Sequence, residues 1–203
     1  MTGHPIETPA EPTRRPRGIH RLLRRFKRSQ SGATAVEFAI ITTPFLMMLA
    51  GILETALMFW TSQALEEGVA QASRTLLTGQ SQTLYKSAVA GANATAFKNA
   101  ICASAPGLVD CTKVTIDVRS YASFATANTG TTASSPVSGG ALNTTGYGYT
   151  QPLPGQIVVV RAVLEYQLIF TQWTSALANL GSGKRAIVAS TTFRAEPFTV
   201  PAT

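Results

Sequence analysis

Histidine is nearly missing from this chain: His4 and His20 are the only two. Everything after residue 20 therefore lacks the side chain on which Ser-His-Asp nucleophilic sites and most zinc sites depend. Cysteine is as scarce. Cys102 and Cys111 are the two present, and two thiols with no histidine after them cannot complete a structural zinc site. Acids number ten in 203 residues. Asp110, Asp117, Glu165 and Glu196 show no spacing that would pair them for acid–base work, although a Ser/Lys or paired-carboxylate site stays open on sequence alone. Neither a P-loop nor a dinucleotide fingerprint occurs, and no internal repeat is visible. These gaps point away from an enzyme and supply no metal ligands and no cofactor motif.

Charge is also missing from most of the chain. The formal net charge is +7, but residues 1–32 hold eight Arg/Lys against Glu7 and Glu11, and the other 171 residues are nearly neutral. A nucleic-acid arm would carry such charge too, yet it would more often precede a soluble domain. Here the basic run closes with Arg24, Arg25, Lys27 and Arg28, four residues before a membrane-length apolar segment. Positive charge in that place marks the cytoplasmic flank of a span, so the leader reads as a topology signal rather than a nucleic-acid contact. Residues 1–18, with Pro5, Pro9, Pro12 and Pro16 and little apolar content, are predicted to be disordered.

What the chain does have is one long apolar run. Between residues 33 and 60 the only charges are Glu37 and Glu54, and the run is long enough for a membrane-spanning helix. Pro44 removes the hydrogen bond to the Ile40 carbonyl and predicts a kink. Trp60 suits the outer interface, and Glu54 is expected near the outer headgroups, with pairing to another stem as the alternative. No GxxxG occurs in the run. Ala64, Leu65, Val69, Ala72, Leu76 and Leu77 then continue at close to a 3.6 period. One helix over residues 33–78, roughly 70 Å long at about 1.5 Å per residue, is thus a membrane stem (33–60) with an amphipathic extension (61–79), ended at Gly79.

Residues 80–203 read as an exported head. A second helix is predicted over 84–101. Val114, Ile116 and Val118 alternate with polar residues as a half-buried strand. Residues 121–156, rich in Thr, Ser, Gly and Asn, read as a long flexible loop. The clearest strand is 157–170, with Val158, Val160, Ala162, Leu164, Tyr166 and Leu168 on one face, and a last strand covers 186–196. Arg194 and Glu196 read as a solvated pair. The fold class is α+β: a long N-terminal helix, then a small head with a short antiparallel sheet and one or two helices. With the basic flank inside, Cys102 and Cys111 fall in an oxidising compartment. That favours a short-loop disulfide over two unpaired thiols.

The stretch "SG-ATAVEF" resembles the type IV prepilin processing motif. By that resemblance a cut falls between Gly32 and Ala33, which makes Glu37 and Phe38 the fifth and sixth residues of the mature chain. The longer run "GATAVEFAIITTPFLMMLAGILETALMFW" is similar to TadE/TadG-type pseudopilins of the tight-adherence (Flp) pilus system. Residues 157–198 resemble the C-terminal part of those proteins, and residues 80–156 match only in style. Phe38 departs from the Tyr usual in Flp-type pilins. The resemblance implies a non-enzymatic minor pilin, single-pass in a bacterial inner membrane, with its N-terminus cytoplasmic and its head periplasmic. Its implied partners are a prepilin peptidase, a companion TadE/TadF-type pseudopilin, inner-membrane Tad platform proteins and the major Flp pilin.

The chemistry of a cut gives Glu37 a task. A new α-amino group on Ala33 is largely cationic at neutral pH, and a carboxylate four residues on lies on the same helix face. Glu37 can pair with its own N-terminus or, as the resemblance implies, with that of a neighbouring subunit. The plainer reading is a snorkelling acid at the start of an ordinary anchor. Two other functional classes stay open: an uncleaved, membrane-held binding module, and a secreted protein cut near "SQA" at Ala64.

Overall fold

The computed structural model describes residues 30–105, 107, 109–130, 135–171 and 173–200. The basic leader, with Arg24, Arg25, Lys27 and Arg28, lies outside the described residues. The fold is α+β, as the sequence predicts: a long N-terminal helix, then a small head with an antiparallel sheet. By compactness the chain divides after Met47, and the two units are taken in turn.

The first unit is the opening part of helix α1, which as a whole runs Gln30–Leu77. The assignment continues through Pro44 without interruption. Thr43 Oγ1 donates back to the Ala39 carbonyl at 2.8 Å, one residue before the Ile40 carbonyl that Pro44 leaves without an amide donor. From residue 33 to residue 40 every side chain is exposed, as are Ile41, Phe45, Leu46 and Met47. An apolar helix with all its faces bare is built for lipid or for other helices.

The second unit holds the rest of α1 and the head. Its centre is a three-stranded antiparallel sheet in the order β1 (Val114–Tyr121), β4 (Ile157–Gln167), β5 (Lys184–Arg194). The register sets Val118 opposite Val160 and Ala162 opposite Ala189, so the apolar faces of all three strands point the same way. On that face lie Leu65, Val69, Ala72 and Leu76 of α1 together with Phe97 and Ile101 of helix α3 (Ala92–Ser104), all in one buried cluster. The 3.6 period of the stem extension is what aligns its four residues with a strand period of two. Val163 points to the opposite face and has its own small cluster with Leu180 and Ala186, so β4 is covered on both sides.

Two predicted elements change on folding. The helix expected over 84–101 begins only at Ala92. Gly91 stands before it at φ 79°, and Asn93 Oδ1 accepts from the Ser87 amide, a local turn that competes with helix. A short helical turn, α2 (Ser81–Leu84), precedes it. Residues 121–156, predicted as loop throughout, contain helix α4 (Phe124–Gly130) and a hairpin of β2 (Val137–Ser138) and β3 (Ala141–Leu142). Gly139 and Gly140 both have positive φ, the conformation a two-residue hairpin turn requires. The segment is anchored because Tyr149 stacks on Tyr85 and Phe97 and its neighbours bond to Val118 on both sides.

Arg194 and Glu196 do not form the solvated pair expected of them. Arg194 Nε donates to the Gly155 carbonyl at 3.0 Å. The Glu196 amide donates to the Leu77 carbonyl at 2.9 Å, which satisfies one of the orphan carbonyls at the end of α1. Cys102, in α3, and Cys111, in a 3-10 turn before β1, are joined as a disulfide with Cα atoms 6.0 Å apart.

Gly68 tests the stem-to-head packing. A Cβ there would stand 2.7 Å from the Ile101 carbonyl oxygen and 3.0 Å from Ala105 Cβ, whereas a Cβ at Gly51 would meet nothing within 4 Å. Gly68→Ala is expected to cost about 1–3 kcal/mol by overpacking, and Gly51→Ala to be neutral or mildly stabilising. Thermal unfolding of both variants in detergent reads the difference. In the same assay, Cys102→Ser is expected to cost about 2–3 kcal/mol, from the short loop it opens.

Candidate functional site

Two carboxylates interrupt the apolar run, and the structure treats them differently. Glu37 is exposed on α1, with Gly32 partly covered and Ala33 and Phe38 exposed around it. The ion pairs among the described residues are Asp117–Arg119 and Glu165–Lys184, and Glu37 belongs to neither. The motif residues thus share one largely exposed stretch of helix.

Glu54 is the opposite case, and it corrects the sequence expectation. Instead of facing headgroups, its side chain is 0 % exposed. The chain turns sharply after β4, and that turn aims two backbone donors at the helix. The amides of Ile169 and Phe170 each donate to Glu54 Oε2 at 2.9 Å, and the Tyr166 hydroxyl donates to Oε1 at 3.1 Å. A buried carboxylate is tolerable only when its oxygens are satisfied in this way. The Phe170 carbonyl accepts in turn from the Trp173 and Thr174 amides and from Thr174 Oγ1, which holds the turn closed. The sole hint in the sequence was an acid facing the same way along α1 as the buried Leu65 and Ala72, about three and five helical turns later.

The charge is felt at Tyr166. Burial, and then the neighbouring Glu54 carboxylate, push its phenol up to about 12. Its pKa is raised in the folded state, so this contribution to stability is complete below the ordinary phenol range, near pH 10, and is lost as pH rises through about 12.

A second buried acid plays a similar role in the head. Asp117, on β1, accepts from Arg119 Nε at 2.8 Å and from the Gly148 amide at 3.1 Å. Arg119 also donates to the Gly146 carbonyl. This pair pins the segment before Tyr149 to the edge of β1. Asp110 caps the 3-10 turn at Cys111 by accepting from the Thr112 amide and hydroxyl, and these bonds hold its carboxyl below the usual range. Among the described residues no cluster of three or more His, Cys, Asp or Glu could hold a metal ion. Such an arrangement holds segments together.

Glu54→Ala is expected to orphan two buried amides, at about 1–3 kcal/mol each. Glu54→Gln, which keeps one carbonyl acceptor, is expected to cost less. Amide exchange at Ile169 and Phe170 is the direct readout, with faster exchange in the order wild type, Gln, Ala. Tyr166→Phe is expected to flatten the stability loss between about pH 10 and 12, followed by alkaline titration of unfolding.

No curated protein and no solved structure matches the chain. Among the described residues one helix, Gly32–Leu77, is long and apolar enough to cross a membrane, and it carries both Glu37 and the Glu54 latch. Residues 32–74, which lie within that helix, match the family model described as TadE-like protein.

Proposed function

We propose that the protein is a minor pilin or pseudopilin of a tight-adherence secretion and pilus assembly system. It is held in the inner membrane by the first part of α1, with its head on the periplasmic side, and it serves Flp pilus assembly and surface adherence. The observation that carries this reading is the split of one helix into a stretch bare on every face and a stretch that forms the core of its own head. A soluble domain has no use for the bare part, and a simple anchor has no need to continue into the core. The TadE-like match over residues 32–74 supports it.

In this reading prepilin peptidase cuts after Gly32 and frees the Ala33 amino group. Glu37 then supplies the counter-charge, to its own N-terminus or to that of a neighbour. A paired charge near hydrocarbon costs far less than a lone one, so Glu37 sets the register between stems and takes no part in catalysis. Pro44 gives the stem a point of bending. The chain is a protease substrate and a packing subunit, and its partners are the peptidase, a companion pseudopilin, the platform proteins and the major pilin.

One observation favours the runner-up, an uncleaved single-pass assembly module. Helix α1 begins at Gln30, so the Gly32–Ala33 bond lies within helical backbone, and a peptidase must unwind that turn to reach it. Glycine is among the poorest helix formers, which makes this the easiest turn of the run to open.

The intact mass of the membrane-extracted chain, with and without the peptidase, decides between the two. A chain beginning at Ala33 only when the peptidase is present is the expected result. A full-length chain in both strains would establish the uncleaved module instead. Gly32→Leu is expected to abolish the mass change. Glu37→Ala is expected to leave cleavage largely intact while strongly reducing pili counted by electron microscopy, and normal piliation in that variant would sink the pairing role.

A further inference from the structure

The turn that grips Glu54 carries a second feature that the latch does not require. Ile169 is 62 % exposed and Trp173 52 % exposed, although both sit in a turn whose backbone is fixed at both ends. Trp173 lines one groove together with Met48, Ile52 and Phe59 of α1. Met48 and Ile52 belong to the apolar run itself, on the N-terminal side of Glu54. Ala50, also within that run, is buried. The head therefore reaches down onto the apolar run rather than stopping at its end.

Length arithmetic says what surrounds that level. Residues 33–53 make 21 positions, about 31 Å of helix at about 1.5 Å per residue, against about 30 Å of hydrocarbon. With the run starting at Ala33, Glu54 falls at the far boundary of the hydrocarbon, and Trp173, beside Met48 and Ile52, falls in the boundary region. Residues 168–183 contain no charged side chain. The first cations after them are Lys184, paired with Glu165, and Arg185, which donates to the Leu177 carbonyl and lines a groove with Phe59 and Ser62. Exposed Ile and Trp at the boundary, no charge among them and arginine just beyond is the layering of an interfacial membrane element.

We propose that this turn is a lipid-seated foot: Ile169 and Trp173 insert into the head-side leaflet, at the junction of headgroups and acyl chains. The head is thereby held against the bilayer and not merely tethered to a span. Burial in lipid explains why two large apolar side chains are left uncovered at this one turn, and it places the Glu54 latch in a water-poor layer where its three donors matter most. The inference rests on α1 spanning the membrane, and continuity with that span is what selects lipid over a protein partner.

The test uses the full chain in vesicles of phosphatidylcholine and phosphatidylglycerol, with lipids brominated at shallow or deep acyl positions as quenchers. Trp60→Phe leaves Trp173 as the sole tryptophan. A separate variant, Phe45→Trp with both native tryptophans changed to Phe, reports the span. Phe45 and Trp60 are both exposed, so neither change disturbs the core. Trp173 is expected to lose most of its emission to shallow bromolipids and little to aqueous iodide. Quenching by iodide alone, with the residue-45 reporter still quenched by deep bromolipids, would overturn the foot while leaving the anchor standing; the turn would then face water or a protein partner. If the residue-45 reporter is also blind to bromolipid, the spanning reading itself fails and the foot with it.

Discussion

A carboxylate removed from water must find hydrogen-bond donors, and in this chain that requirement joins stem to head. Among the described residues Glu54 forms no ion pair; its oxygens are satisfied by two consecutive backbone amides and one phenol. β4 is the central strand, with its amides committed to both neighbours along its length, so the acid meets two free amides only past the end of β4, where the chain turns. That choice fixes the register of β4 along α1. The buried positions of the stem, Leu65, Val69, Ala72 and Leu76, then meet Val158, Val160, Ala162 and Leu164 in one cluster. Because β4 is the central strand, β1 and β5 inherit its placement.

The head adds smaller constraints that keep the stem helix where the latch puts it. At Gly68 the backbone of α3 comes so close that a methyl group has no room. At the C-terminal end of α1 the chain after β5 returns to bond the Leu77 carbonyl, and the Phe198 ring occupies the space that a side chain at Gly79 would need. Gly79 also has φ 78°, so both its conformation and its lack of a Cβ are in use. A helix fixed by a carboxylate, by a close backbone approach and by its own far end is restrained along its length, without needing many large side chains in the interface.

Much of this was legible in the sequence, and the reasons differ by element. The stem, its end near Gly79 and the three strands were readable because they rest on periodicity, which burial enforces locally. The start of α3 was misread because an alanine-rich stretch looks helical until a glycine with positive φ and a pair of Asn93 side-chain bonds to the Ser87 backbone intervene, which composition does not display. The order within 121–156 was hidden for a related reason: it depends on Tyr149 reaching an aromatic cluster and on Asp117 across the sheet, both long-range. Glu54 was the largest omission. An acid at the end of an apolar run has several explanations, and only the position of the turn after β4, more than 110 residues later, selects among them.

The two acids of the run then pose complementary problems. The Glu54 oxygens are satisfied within the chain by hydrogen bonds, so this acid can define the head on its own. Glu37 stands on an apolar helix bare on all faces and takes part in none of the ion pairs among the described residues. Under the proposed function its partner is an amino group made by a cut, on its own chain or on a neighbour. The internal acid thus serves the fold, while the exposed acid, under the proposed function, is the group that would pair one stem with another. Exchanging their roles would fail on both counts. A bare Glu54 would leave two amides orphaned, and a Glu37 buried by its own chain would remove the one exposed charge of the apolar run, residues 33–60.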